Sequence, residues 1–148
     1  MFKDCSALVD ASMITLKGCY GRNCYTDMFH GCINLTKPPK LTATTLQNNC
    51  YSMMFYGCTS LATAPELPAT TLVNSCYTSM FSGCSKLNYI KALFTTTPSD
   101  SYTLNWVNGV ASTGKFVKNN EATWDVTGTN GIPSGWTVIT ELEDYNEN

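Results

Sequence analysis

From Met1 to Phe94 the apolar residues recur in a fixed frame, with polar residues filling the gaps. Cys24, Cys50 and Cys76 stand 26 positions apart, as do Cys32, Cys58 and Cys84. The units that open at Cys24, Cys50 and Cys76 share C-Y-x-x-M-F-x-G-C-x-x-L, and the first two add a Pro-bearing stretch and L-x-A-T-T-L. An earlier partial copy, Met1 to Leu8, matches Met28 to Leu35 before an irregular stretch from Val9 to Gly18. A unit this short has no core of its own and completes one only by stacking on its neighbours. The pattern therefore predicts a solenoid with Leu35, Leu61 and Leu87 in one core column and Met28, Met54 and Met80 in another.

Within a unit, Cys50, Met54 and Cys58 recur four apart beside Met53 and Phe55, which predicts one or two helical turns ended by Gly57. Leu61 to Leu67, with Pro65, predicts a short, irregular extended piece in a parallel stack. Thr70-Thr71-Leu72 then turns towards the next helix, with Asn74 or Ser75 as its N-cap.

Repetition stops at Pro98. Ser99-Asp100-Ser101 predicts a helix start and Asn108-Gly109 its stop. Gly114 to Lys118 and Trp136 to Thr140 alternate as strands do, around a turn-rich stretch, and predict a hairpin that shields the last repeat. The expected organisation is a solenoid of about three and a half units over 1–94, a cap over 95–140 and a mobile acidic tail over 141–148. No polar element precedes Met1, so upstream repeats or a partner chain are expected to cover the N-terminal end.

The segments Phe29 to Leu35, Phe55 to Leu61 and Phe81 to Leu87 carry an F-x-G-C-x-x-L signature, and Leu67-Pro68-Ala69-Thr70-Thr71-Leu72 leads into Cys76-Tyr77 and Met80-Phe81. These residues resemble the BspA-like leucine-rich-repeat family of bacterial surface proteins. Asn105 to Val110 and Gly131 to Val138 resemble the terminal segment of the same group. The resemblance implies a leucine-rich-repeat-like α/β solenoid, a cell-surface location and adhesion to host or microbial proteins.

Composition narrows the function. The chain is 43% hydrophobic and 14% charged, enough apolar material for a continuous core. Nine Lys and Arg against eleven Asp and Glu give no basic field, which argues against nucleic acid. No apolar run is long enough to cross a bilayer.

The chemistry-bearing residues point away from catalysis. The cysteines are spaced C-x(7)-C and not as zinc pairs. A bridge such as Cys24 to Cys32 requires that the intervening turn not be a straight helix, because eight helical residues span about 12 Å. The favoured reading is reduced, buried cysteines stacked in register, with few thiols titrating in the native protein and close to eight after denaturation. His30 aligns with Lys3, Tyr56 and Ser82, which favours a solvated side chain over a nucleophile's partner. Tyr25, Tyr51 and Tyr77 form a column, and Trp106, Trp124 and Trp136 gather in the cap. Packing between units is favoured over sugar stacking for both.

The expected function is thus a non-catalytic extracellular module that binds a protein or glycan, with no cofactor. Alternatives are a polysaccharide-binding module and a structural spacer or virion appendage. The exposed positions that differ between units, Lys37, Lys40, Thr63, Glu66, Tyr89 and Lys91, are the candidate binding residues.

Overall fold

Each C-Y-x-x-M-F-x-G-C segment is a ribbon of tight turns and not the expected helix. In the computed structural model, which describes residues 1–147, every fourth residue of this segment has a positive φ. The series runs Asn23, Asp27, Gly31, then Asn49, Met53, Gly57, then Ser75, Ser79, Gly83. A left-handed residue once per turn interrupts a right-handed helix. Its hydrogen bonds divide accordingly. Ser52, Met54, Tyr56 and Cys58 donate to carbonyls three residues back, whereas Tyr51, Met53, Phe55 and Gly57 donate to Cys76, Thr78, Met80 and Ser82 of the next unit. Half of the ribbon's amides thus have partners only when units stack. The four-residue recurrence that suggested a helix belongs to the turn.

Stacking is continuous. The Phe2, Phe29, Phe55 and Phe81 rings lie parallel with successive centroids 5.4, 5.5 and 5.7 Å apart. Leu35, Leu61, Leu87, Met54 and Met80 are fully buried, and Met28 nearly so. Burial weakens towards the first unit, where Phe2, Cys5 and Leu8 are partly covered.

On the other side of the molecule the chain passes as short parallel strands. The elements are β1 (Thr15–Leu16), β2 (Lys40–Leu41), β3 (Tyr89–Ala92), α1 (Asp100–Thr103), β4 (Lys115–Lys118), β5 (Thr137–Thr140) and α2 (Glu141–Glu147). They make a small mixed α/β domain with a two-stranded sheet, β1-β2, and a three-stranded sheet, β3-β4-β5, both parallel. Between the sheets single bridges join Thr63 to Tyr89 and Leu67 to Ala92. The prolines Pro38, Pro39, Pro65 and Pro68 interrupt regular pairing here, since each lacks an amide donor.

The predicted hairpin is corrected by the same register. Tyr89 pairs with Lys115 and Lys115 with Thr137, all parallel, so 95–140 adds further passes to the stack. Ser99 caps α1 as expected, but the helix ends at Thr103 and the turn ribbon resumes, with Asn105 and Gly109 at positive φ and the Phe81 amide on the Trp106 carbonyl. A hairpin needs antiparallel strands joined by a short turn. Here residues 119–136 carry the chain back to the start of a parallel strand, so no short turn joins β4 to β5. Three indoles tie these passes together: Trp106 Nε1 donates to Gly131 O, Trp124 Nε1 to Phe94 O and Trp136 Nε1 to Ala111 O, at 2.9, 3.0 and 2.7 Å. The segment expected to be a mobile acidic tail is, through Glu147, helix α2, packed against β4 and β5; Asn148 lies outside the described residues.

Candidate functional site

The candidate binding residues all fall on the strand side, because the turn side buries its frame. Backbone pairing sets Lys37 beside Asp10, Thr63 beside Tyr89, Tyr89 beside Lys115 and Lys115 beside Thr137. Lys37, Thr63, Tyr89 and Lys115 follow one another at the repeat spacing of 26, so one row of unlike side chains crosses the stack.

The six predicted positions separate into two places. Lys40 and Glu66 line a shallow cleft of about 550 Å³ with Ser12, Pro38, Pro39, Leu41, Thr42, Pro65 and Pro68. The prolines give it rigid walls and leave its backbone short of donors. Lys37 lies beside this region, its Nζ 3.8 Å from Asp10 Oδ2, both groups largely in water. Hydrogen bonds from the Ser12 hydroxyl and amide hold the Asp10 carboxyl below its ordinary range, with a smaller contribution from Lys37. Tyr89 and Lys91 lie further along the stack, next to α2. Tyr89 Oη donates to Asp144 Oδ2 at 3.3 Å, and Lys91 lines a cleft of about 570 Å³ with Glu141, Asp144, Tyr145 and Asn146. Burial first, then the Asp144 charge and hydrogen bond, push the Tyr89 phenol up to about 12. Thr63 is exposed, lines neither cleft and is bridged to Tyr89.

Sequence reasoning missed Lys115 and the acidic face opposite it. Lys115 Nζ reaches Glu147 Oε2 at 2.8 Å, and this bond raises the lysine's pKa. The signal was present, since Lys115 stands one repeat period after Tyr89, but the hairpin reading removed it from the row.

The cysteines form internal columns. Cys32, Cys58 and Cys84 donate Sγ–H to the carbonyls of Phe2, Phe29 and Phe55 in the preceding unit, at 2.9, 3.1 and 3.0 Å. Burial pushes the Cys50 thiol up to about 11, those of Cys58 and Cys76 to about 12, and that of Cys84 further still. A thiol so protonated is a poor nucleophile. One disulfide is present, joining Cys19 to Cys24 across a Cα separation of 6.0 Å, within the stretch that breaks the repeat. The Cys24 to Cys32 pairing considered above does not form, and the expected thiol count of close to eight in the denatured protein falls to six.

His30 is more enclosed than expected. Its ring stacks on Tyr56 at 4.8 Å and its Nδ1 lies 2.8 Å from Asp27 Oδ1. The tyrosine column is internal, with Tyr51 and Tyr77 buried and stacked at 6.1 Å. Among the described residues no group of three or more His, Cys, Asp or Glu is placed to hold a metal ion, and no helix is long and apolar enough to cross a membrane.

No protein-family model matches this chain, and no curated protein or solved structure matches it.

Proposed function

We propose that the chain is a leucine-rich-repeat-type solenoid of the BspA-like kind, acting as a non-catalytic binding module at a cell surface. One observation carries the reading: the side chains common to the units are spent on the stack, while in the row that differs Lys37 and Thr63 are exposed and Tyr89 and Lys115 are half-buried on the strand side, bonded to α2. A constant frame with a varied row on the strand side suits recognition of an extended partner. The proline-walled cleft with Lys40 on one pass and Glu66 on another offers that partner both charge signs.

The disulfide between Cys19 and Cys24 supports an oxidising, extracellular setting. Protein is favoured over glycan as the ligand, because the tyrosines that would stack on sugar rings pack inward. The test is parallel binding of the full chain to a glycan array and to a panel of purified host and microbial surface proteins. Saturable binding to a protein, abolished by Lys40→Glu with Glu66→Lys, is the expected result. Binding confined to glycans, or to nothing on either panel, would remove the reading.

A further inference from the structure

Helix α2 docks the wrong way round for a helix held by the hydrophobic effect. An amphipathic helix ordinarily buries its apolar stripe. In α2 the apolar side chains Leu142 and Tyr145 are 58% and 78% exposed, whereas Asp144 is 8% exposed and faces the sheet. What attaches the helix is polar: Tyr89 Oη to Asp144, Lys115 Nζ to Glu147, and the Leu142 amide to Asn120 Oδ1 at 3.0 Å. Opposite Glu141 and Asp144, across the cleft, stands Lys91.

Two consequences follow from the chemistry. The β3–β4 face reads carboxylates, with a phenol and a lysine placed on two of them and a second lysine beside the helix. Its present occupant is a seven-residue helix, marginal alone, whose one ion pair, Lys115 to Glu147, is exposed and adds little in water, so the buried Asp144 contact carries most of its attachment.

We infer that the face formed by Tyr89, Lys91 and Lys115 is a recognition site for an acidic peptide segment of a partner protein, and that α2 occupies it in cis as a competitor. The inference rests on the binding-module reading and specifies one of its surfaces. The partner segment carries carboxylates at the spacing of Asp144 and Glu147 and displaces α2 on binding. The exposed Leu142 and Tyr145 belong to the helix that leaves, so the site does not require them.

The probe is a synthetic peptide E-L-E-D-Y-N-E-N, with Q-L-Q-N-Y-N-Q-N as its uncharged control. In the wild-type full chain, excess acidic peptide should accelerate hydrogen exchange of the 142–147 amides and leave those of β4 protected, while the control peptide should do neither. Asp144→Asn with Glu147→Gln should tighten peptide binding by about tenfold if α2 holds nine-tenths of the molecules closed, since apparent affinity scales with the open fraction. Lys91→Glu with Lys115→Glu should abolish it. Unchanged exchange of 142–147 at saturating peptide, or peptide binding indifferent to the lysine reversals, overturns the inference. In that event retained sensitivity of an identified partner to Lys40→Glu with Glu66→Lys would leave the wider binding reading standing.

Discussion

Cys58 donates its thiol proton to the carbonyl of Phe29, one unit before its own, at 3.1 Å. The same carbonyl accepts the Cys32 amide, so one oxygen closes a turn and receives a neighbouring unit. The cysteine column therefore contributes directional bonds as well as volume. Cys58→Ala should lower stability by about 1 to 3 kcal/mol, from a lost hydrogen bond and a small cavity, as measured by urea unfolding. Titration should find six thiols in denaturant without reductant and eight after reduction. Eight in denaturant alone would remove the Cys19 to Cys24 bridge.

Leu61 lies in the middle of the Leu35, Leu61 and Leu87 column and is fully buried. Leu61→Ala should cost about 2 to 5 kcal/mol, the range for a core leucine. A loss below that range would mean the units slide together to fill the gap, which the hydrogen bonds between ribbons oppose.

Ser79 separates the turn ribbon from a helix by the sign of one substitution. Its φ is +51, a conformation that disfavours a side chain. Ser79→Gly should therefore stabilise the protein by up to about 1 kcal/mol, where the same change inside a helix would destabilise it. Gly83→Ala should act in the opposite sense, since Gly83 has a φ of +78, a conformation that costs any residue with a Cβ. Thermal melts of the two variants moving in the same direction would contradict the ribbon.

The period, the leucine and methionine columns and the strand positions near 115–118 and 137–140 were legible in the sequence, because each follows from which residues recur. The local form of the C-Y-x-x-M-F segment was not. A turn repeated every four residues places Cys50, Met54 and Cys58 on one face as a helix does, and only the polar residues at Asn49, Asn23 and Asp27 hinted at left-handed backbone. The hairpin was misjudged for a related reason: alternation identifies strands but not their direction. The pairing of α2 with the sheet was hidden because charge complementarity across 32 residues, as between Lys115 and Glu147, has no local signature.

Alkaline pH should unfold the protein early. Burial raises the thiols of Cys50, Cys58 and Cys76 from an ordinary 9.0 to about 11 to 12, and Tyr89 from 10.0 to about 12, with Tyr51 and Tyr77 raised further. Above the ordinary values the unfolded chain gives up these protons while the folded chain keeps them. Stability is thus fully present below pH 9 and falls as pH rises from 9 through 12. Unfolding midpoints measured from pH 8 to 11 should decline steadily above 9. A flat profile would mean that the columns are wet.

The strongest check on function uses the contrast between frame and row. Lys37, Lys40 and Glu66 are exposed and Lys91 is half-buried at the edge of the α2 cleft. Reversing Lys37, Lys40 and Glu66 should leave the melting temperature almost unchanged, because exposed substitutions usually lie within about 0.5 kcal/mol of neutral. Adding the Lys91 reversal sets a carboxylate beside Glu141 and Asp144 and should loosen α2 without unfolding the stack. The variant with all four reversed should lose an identified protein partner, since it exchanges Lys40 and Glu66 in one cleft and removes the Lys91 cation from the other. Loss of melting temperature along with binding would show that the row supports the stack and reports nothing about recognition. Binding that survives the reversal but disappears when the exposed ring of Tyr56 is replaced would move the recognition surface to the turn side, where Tyr56 stacks on His30.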